Sequence, residues 1–329
     1  MTPIASRSTP IPSVEWELTT RCNYDCSYCT QSAYAGLQWG DCSDRIVDSV
    51  LSLLRSRQGS WLVKLSGGEP FLHPRFLEIV AGVSMLSHRV STTTNFSVPQ
   101  RILGQFLDAS GPHFDYLTAS LHLEQVRDVR GFVEKARWFQ SAKPPGARFV
   151  VTTVGIESDL PQLRSLAAEF GQEGIEFEVA PRKEGSHYVV YSNPEFVEFM
   201  NQHALMHVQD IRGARMMGTV CHTGSLFARI TIDGDVLRCY NYQPRFALGN
   251  VTDGSFRWLD GPKPCLARQC TCTVPANRNM IEFGNKAGML PLIGEFAFAV
   301  VENGPDLIRL GGRWAGRVLA MRGTRKTRQ

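Results

Sequence analysis

The sequence predicts an α/β fold in which six strand–helix units build a parallel sheet. Segments rich in β-branched residues alternate with amphipathic helical segments from residue 14 to residue 181. Strands joined through helices run parallel, with right-handed crossovers. Short polar motifs also follow several of these strands directly. The pattern fits an open doubly wound sheet or a partial barrel, and in both folds ligands bind at the carboxyl ends of the strands.

The individual elements are predicted from periodicity and from helix-start signals. Strands are predicted at residues 14–20, 61–67, 88–95, 115–122, 147–155 and 175–181. Helices are predicted at residues 44–57, 73–86, 98–109, 127–141 and 159–171. Asp44 lies near the start of the first helix, and Pro74 precedes the second. The motifs "SGGEP", "TTTN" and "ASLH" then lie at strand ends, where they face one common cavity.

Composition limits the class of protein. The chain has 329 residues, 43% of them hydrophobic and 20% charged, as in an ordinary globular protein. The first residues contain no apolar signal core, and no late segment reaches the roughly 18 apolar residues that a spanning helix needs. We therefore expect a cytoplasmic protein. The nine cysteines are then better explained as metal ligands or reactive groups than as disulfides.

Three cysteines, Cys22, Cys26 and Cys29, lie within eight residues of each other, directly after the first predicted strand. A structural zinc site needs four ligands, and no second pair of cysteines lies nearby. A [4Fe–4S] cube is normally held by four thiolates, so three thiolates leave one iron open. An open iron can bind a substrate or a cofactor.

The spacing of "CNYDCSYC" resembles the CxxxCxxC motif of the radical SAM superfamily, which follows the first strand of a partial (β/α)6 TIM-like barrel. "SGGEP" at residues 66–70 resembles the GGE motif of that superfamily, which follows the second strand. The resemblance implies that S-adenosylmethionine (SAM) binds the open iron and is reductively cleaved to a 5′-deoxyadenosyl radical, which takes a hydrogen atom from the substrate. It also implies a reductant such as flavodoxin or ferredoxin.

The resemblance also implies roles for residues at the strand ends. Gly67 and Gly68 lack Cβ, so their backbone can approach the methionyl amine, and Glu69 adds an acceptor. The backbone of Tyr28 contacts adenine, and Ser120 contacts the ribose. Further cofactor-binding candidates, at the ends of the third and sixth strands, are Asn95 and Arg182.

Two residues are weaker candidates for catalysis. Many relatives carry Ser-x-Asp at the fourth strand, whereas this chain has "SLH", with His122 in the place of the acid. His122 serves either in proton transfer or polar contact near the substrate, or it is a strand-end histidine bonded to its neighbours. Cys42 either supplies a hydrogen atom to a substrate radical or is a small buried thiol.

A second cysteine group lies in the last third of the chain. "LFARITI" and "VLRCYNY" read as strands joined by a "DGD" hairpin turn. This arrangement resembles the twitch or SPASM extension of the same superfamily, which binds auxiliary [4Fe–4S] clusters. Five cysteines suit one auxiliary cluster, held by Cys221 and Cys239 and by two of Cys265, Cys270 and Cys272. The alternative is a structural zinc ribbon.

These observations give a predicted domain order. Residues 1–13 form an N-terminal extension, and residues 14–210 form the barrel. Residues 211–280 form the auxiliary iron–sulfur domain, and residues 281–329 form a C-terminal extension. Its segment 309–329 has seven basic residues and no acid, which suits a solvated tail or a weak contact with a membrane or a polyanion. No nucleic-acid-binding module is recognised.

The expected activity is radical chemistry on a small, sugar-like or aminocyclitol-like molecule, ending in oxidation, epimerisation or rearrangement. The predicted barrel begins near residue 14 and leaves no room for an N-terminal module that binds a leader peptide. That favours a small molecule or a peptide presented by a separate partner, so modification of a ribosomally made peptide stays an alternative. An iron–sulfur or zinc protein without catalysis is the alternative from another class, but it leaves "SGGEP" unexplained.

Overall fold

A computed structural model of the chain describes residues 9–29, 40–184, 187–203, 216–240, 247–267 and 274–288. Its main sheet has nine strands in the order β12-β11-β10-β1-β2-β3-β4-β5-β6. Strands β1 to β6 are Ser13–Thr19, Leu62–Gly67, Arg89–Thr94, Phe114–Ser120, Arg148–Gly155 and Glu176–Pro181. Strands β10 to β12 are Phe227–Ile230, Asp235–Leu237 and Ala247–Asn250.

Helices separate the parallel strands. Between β1 and β6 they are α1 Asp44–Arg55, α2 Phe76–Met85, α3 Gln100–Ser110, α4 Val129–Ala142 and α5 Leu160–Gln172. Two more helices come later in the chain, α6 Pro194–His203 and α7 Val274–Asn277. Local signals fix their starts: the Ser43 side chain accepts a hydrogen bond from Ile46 N at the start of α1, and that of Asp128 accepts one from Gly131 N at the start of α4. The predicted strands and helices of residues 14–181 are confirmed, with bounds shifted by a few residues.

The strand order decides between the two predicted architectures. Strands β1 to β6 follow one another in sequence across the sheet, all parallel, so right-handed crossovers place their helices on one face. A doubly wound sheet would reverse its order and carry helices on both faces. Within the described residues the sheet ends at β6 and β12 without closing, as expected for a partial TIM-like barrel.

The two faces of the sheet differ in chemistry. In β1, Val14, Trp16 and Leu18 are completely buried against the helix layer, whereas Glu15 and Glu17 lie on the opposite face. We call the face opposite the helices the inner face. The core between sheet and helices is rich in phenylalanine, with Phe139 in ring contact with Phe96, Phe114 and Phe149.

The predicted hairpin belongs to the main sheet. Strand β10 pairs in parallel with β1, with Glu15 opposite Arg229, and β11 pairs antiparallel with β10. The turn between them is closed by a hydrogen bond from Gly234 N to Thr231 O of 3.0 Å, with Gly234 at φ +84°. The hairpin thus extends the barrel sheet on the side of β1. The predicted division at residue 210 falls in residues 204–215, outside the described residues, and stays a prediction.

A small second sheet lies in the C-terminal third. Its order is β13-β9-β14, formed by Lys263–Pro264, Thr219–Cys221 and Ile281–Lys286. A two-stranded ribbon, β7 Lys183–Glu184 and β8 His187–Tyr188, follows β6. Among the described residues, none of the helices is long and apolar enough to cross a membrane.

Candidate functional site

The three predicted ligands of the first cluster lie on a loop that begins where β1 ends. We call residues 20–29 the cysteine loop. The carboxyl ends of β2, β3 and β4 carry "SGGEP", "TTTN" and "ASLH" to the same edge of the sheet, as predicted. Each of these strand ends contacts a different part of the cysteine loop, so the loop is held at successive positions.

The end of β2 holds the start of the loop through backbone hydrogen bonds. Gly68 N donates to Thr19 O and Glu69 N donates to Arg21 O, both at 2.8 Å. A Cβ on Gly68 would lie 2.1 Å from Arg21 O, and one on Gly67 would lie 2.2 Å from Thr19 O. Gly67 also has φ +138°, a conformation that other residues rarely adopt. The two glycines are therefore required by the close approach of the chain to itself, next to Cys22.

Glu69 joins the end of β2 to the end of β3. It is fully buried, and its carboxylate accepts hydrogen bonds from Phe71 N at 3.1 Å, Thr94 Oγ1 at 2.8 Å and Asn95 N at 2.6 Å. Burial raises the pKa of this carboxyl to about 7, against the opposing effect of its hydrogen bonds. In the structure Glu69 fixes the backbone of the strand ends, and its predicted role as an acceptor for the cofactor stays a prediction.

Asn95 reaches the first cysteine. Its amide Nδ2 donates to Asn23 Oδ1 at 2.8 Å and lies 3.8 Å from the sulfur of Cys22. Asn23 in turn donates from Nδ2 to Ser97 Oγ at 2.9 Å. The end of β3 therefore fixes the residues on both sides of the peptide bond between Cys22 and Asn23.

The residues after β4 hold the second half of the loop. The ring of His122 stacks on that of Tyr28, with centroids 5.8 Å apart, and its Nδ1 lies 3.1 Å from the Tyr28 hydroxyl. Tyr24 packs edge-on against the same imidazole. Burial lowers the pKa of His122, so the neutral ring is favoured. His122 is thus bonded to neighbours within the loop, as one of its two predicted alternatives requires.

Two further contacts come from residues that the sequence did not single out. The carboxylate of Glu124 accepts hydrogen bonds from Ser27 N at 2.6 Å and from Ser27 Oγ at 2.9 Å. Gln125 donates from Nε2 to the carbonyl of Asp25 at 3.1 Å. Glu124 and Gln125 belong to no recognisable sequence pattern, so only the fold reveals these contacts.

The three thiols lie close together in the chain and are at least partly shielded from solvent. Cys26 is buried and Cys22 and Cys29 are half-buried, and Cys29 N donates to Cys26 O at 3.0 Å. Burial, together with the nearby Glu124 carboxylate and the other two thiols, raises the pKa of Cys26 to about 12. Burial also raises the pKa of Cys22. Iron binding displaces such protons, because thiolates are the ligands.

In the described part of the chain, no three His, Cys, Asp or Glu side chains converge as they would around a single metal ion. A cube offers a separate iron to each thiolate, so its ligands need not meet at one point. Three neighbouring thiols on a loop fastened by three strand ends therefore fit a cluster with one open iron.

The other predicted residues lie as follows. Ser120 is half-buried at the end of β4, opposite Thr152 of β5. Arg182 follows β6, donates its backbone N–H to the Tyr191 hydroxyl at 2.7 Å, and ion-pairs with Glu184 at 3.6 Å.

Cys42 is placed in the core. Only 4% of it is exposed, its sulfur lies 3.6 Å from His73 Nε2, and burial raises its pKa to about 12. Its neighbours in the core include apolar residues of β1 and α1. These features favour the buried-thiol alternative for Cys42 over a hydrogen-atom donor.

Three of the five C-terminal cysteines share a second buried cluster. Cys221, Cys239 and Cys265 pack with Met216, Phe227 and Met280. Strand β13 pairs with β9, and Cys265 N donates to Thr219 O at 2.9 Å, which places Cys265 opposite Thr219, two residues before Cys221 on β9. Cys239 lies two residues after β11. Cys270 and Cys272 lie outside the described residues.

A buried charge network joins this region to the barrel. Glu15 of β1 lies 3.2 Å from Lys64 Nζ of β2, and its other oxygen lies 3.7 Å from Arg278 Nη1. Arg278 follows α7 and donates from Nη2 to the Tyr116 hydroxyl of β4 at 3.1 Å. Two barrel strands, β1 and β4, thus contact an arginine of the C-terminal third on the inner face, near the amino ends of the strands.

Comparisons with known proteins agree with this geometry. Residues 16–124 match the model of the radical SAM superfamily. The GTP 3′,8-cyclase of Vibrio atlanticus is 27% identical over 150 residues, 44% of this chain and 45% of the relative. The pre-heme d1 synthase of Dinoroseobacter shibae is 29% identical over 181 residues, 51% of this chain and 43% of the relative. The chain thus matches less than half the length of these curated relatives.

The fold has counterparts among solved structures. Streptococcus suis SuiB bound to precursor peptide SuiA gives a TM-score of 0.54 at 15% identity, covering 74% of this chain and 63% of SuiB. At 15% sequence identity, this structural likeness shows a shared fold alone. The matched segment 16–124 contains the cysteine loop and the ends of β2, β3 and β4.

Proposed function

Because residues 16–124 match the model of the radical SAM superfamily, we propose that the chain is an enzyme that cleaves SAM reductively to start radical chemistry on a polar small molecule. One observation carries the proposal. The three cysteines lie on a loop that the ends of β2, β3 and β4 fasten at separate points, inside the segment that matches the family. A rigid loop keeps three thiols in place for a cube whose fourth iron stays open.

Each residue of the site then has a role. Cys22, Cys26 and Cys29 hold a [4Fe–4S] cluster, and SAM binds at its open iron. When reduced, this cluster supplies the electron that cleaves SAM to methionine and a 5′-deoxyadenosyl radical. Residues of the strand ends orient the cofactor and exclude water; the candidates are Tyr28, Gly67, Gly68, Glu69, Asn95, Ser120 and Arg182.

The inner face of the sheet supports a polar substrate. In β4 and β5, Leu117, Ala119 and Val151 pack in the core with the helices, so the residues that alternate with them lie on the inner face. This face carries the apolar Val150 and Val154, but its hydroxyl-bearing residues include Ser66, Thr93, Thr118, Ser120 and Thr152. Glu178 lies opposite Thr152, and burial raises the pKa of its carboxyl. Hydroxyls and a carboxylate suit a hydroxylated molecule that carries hydrogen-bond donors, such as a sugar, an aminocyclitol or the ribose of a nucleotide.

The curated relatives point to the same class. Several are GTP 3′,8-cyclases, enzymes named for a nucleotide substrate. The match covers part of each chain, so a nucleotide is a candidate substrate here, beside sugars and aminocyclitols. A peptide substrate is the competing outcome of the substrate test.

The C-terminal third supplies the proposed auxiliary cluster. Cys221, Cys239 and Cys265 lie together in a buried setting, and one of Cys270 and Cys272 completes four ligands. Full ligation suits electron transfer, whereas three ligands would leave a second open iron for the substrate. A structural zinc ribbon on the same cysteines is the competing outcome.

Anaerobic reconstitution with iron and sulfide tests the proposal. We expect about eight irons per chain, two cubes of four, and 5′-deoxyadenosine formed only when dithionite and SAM are both present. Protein that stays free of iron and fills with zinc would overturn it. Incubation with GTP, with aminocyclitols and with peptides, followed by mass spectrometry, then separates the substrate classes. Product from a peptide alone would overturn the small-molecule part.

A further inference from the structure

Glu124 is the only described side chain that the structure bonds to both the backbone and the hydroxyl of Ser27. Ser27 lies between two of the three predicted ligands, Cys26 and Cys29. The carboxylate of Glu124 takes one hydrogen bond on each oxygen, at 2.6 Å from Ser27 N and at 2.9 Å from Ser27 Oγ. Two bonds to one residue fix the position and the orientation of its peptide group.

The loop that carries Glu124 is itself well defined. It follows β4 and forms a turn in which Gln125 N and Val126 N both donate to His122 O at 2.9 Å. Gln125 bonds the carbonyl of Asp25, and His122 stacks on Tyr28. The turn therefore contacts residues on both sides of Cys26, and Glu124 makes the central contact.

Hydrogen bonding and charge act in opposite directions at this position. The hydrogen bonds hold the Cys26–Cys29 turn in one conformation. The negative charge of Glu124 and its side-chain hydrogen bond with Cys26 both raise the pKa of Cys26 and so disfavour its thiolate. Glu124 is exposed, and solvent and salt screen its charge, whereas a short bond to a backbone N–H keeps its directionality. The hydrogen bonds to Ser27 therefore persist where the charge is screened.

We propose that Glu124 is a positioning residue that, through Ser27, sets the geometry with which Cys26 and Cys29 hold the iron–sulfur cluster. This inference rests on the proposed function, because it assigns Glu124 to the same cluster. It adds a residue of the loop after β4 that is neither a ligand of iron nor a contact of SAM. Its effect reaches the cluster through the backbone of Ser27.

The test compares four proteins: wild type, Glu124→Ala, Glu124→Gln and Glu134→Ala. Glutamine keeps an oxygen that accepts from Ser27 N and removes the charge. Glu134 is a matched control, since it is an exposed glutamate of α4 paired with Arg130 at 3.2 Å. Each protein is reconstituted, and iron loss to a chelator is timed. Electron paramagnetic resonance then follows the reduced signal that changes when SAM is added, which reports the open-iron cluster alone.

We expect Glu124→Ala to lose that signal about tenfold faster than wild type, as the loss of a charge-assisted hydrogen bond predicts. Glu124→Gln should stay within about threefold of wild type, the smaller change expected when a neutral acceptor replaces a charged one. Thermal unfolding of the iron-free proteins should be similar in all four. Ser27→Ala, which removes only the hydroxyl bond, should give an intermediate rate.

Several results would overturn the role of Glu124. Equal rates for Glu124→Ala and Glu134→Ala would remove any link to the cluster. Equal loss in Glu124→Gln and Glu124→Ala would assign the effect to charge. A large drop in unfolding temperature for Glu124→Ala alone would make it a general folding contact. A wild type that binds iron but shows no SAM-dependent signal would instead overturn the proposed function, so the two failures are distinguishable.

Discussion

The backbone N–H of Gly68 donates to the carbonyl of Thr19 at 2.8 Å and so fastens the end of β2 to the residue that leads into the cysteine loop. The next peptide repeats the contact, from Glu69 to Arg21. The parallel pairing of β1 with β2 therefore continues beyond the ends of both strands. Cys22 directly follows Arg21, the acceptor of the second hydrogen bond, so these contacts with the sheet set its position.

The cysteine loop should tolerate no loss of a thiol. Replacing Cys22, Cys26 or Cys29 with alanine should remove about four irons and all cleavage of SAM, because each thiolate holds one iron of the cube. Cys42→Ala is the matched control: its buried thiol packs in the core, and cleavage should continue. Iron analysis and chromatography of 5′-deoxyadenosine check this. Cleavage that persists in any of the three loop variants contradicts the site.

Alanine at Gly68 should disturb both the cluster and SAM. The new Cβ would lie 2.1 Å from Arg21 O, a backbone atom that cannot move without shifting Cys22. The matched control is Gly104→Ala in α3, where a Cβ meets nothing within 4 Å and alanine should stabilise the helix by about 0.5–1 kcal/mol. Iron content and SAM titration measure the two effects. A variant with normal iron content and weaker SAM binding would instead indicate that the two glycines contact the cofactor and do not position the cysteine loop.

We expect the two clusters to have different functions. Replacing Cys221 and Cys239 together with alanine should remove about four irons and abolish product, because the auxiliary cluster is lost. Cleavage of SAM should survive, uncoupled from the substrate, since the cysteine loop is intact. Circular dichroism is needed beside the assays, because metal binding and folding are linked in small cysteine-rich units. A folded double variant with normal turnover would exclude a redox role, and an unfolded one would favour a structural site.

Arg278 should contribute strongly to stability. Arg278→Ala removes one of the two cationic neighbours of buried Glu15 and the donor to the Tyr116 hydroxyl, while Lys64 stays. Losing such a charged hydrogen-bond partner costs about 1–3 kcal/mol. Arg130→Ala removes an exposed ion pair and should cost about 0.5 kcal/mol or less. Denaturant unfolding of both variants measures the contrast. Equal stabilities would mean that the C-terminal third does not depend on this contact with the barrel.

The order of elements and the cysteine motif were readable from the sequence alone. Apolar residues that repeat with the period of a helix or a strand set local structure, so the bounds of β1 to β6 and α1 to α5 were predicted to within a few residues. The position of "SGGEP" after the second strand follows from the same local patterns. Both signals depend only on residues that are close together in the chain, so they can be recognised without knowledge of the fold.

The tertiary structure alone decided which atoms hold the loop. Glu124 is 97 residues from Ser27, and a contact at that separation leaves no periodic trace in one sequence. The pairing of β10 with β1 placed the hairpin in the main sheet, and the same packing brought Arg278 to Glu15. The need for glycine at residue 68 comes from Arg21 O, whereas its sequence suggested a cofactor contact. Long-range packing determines such contacts, because they depend on how distant segments fill the same space.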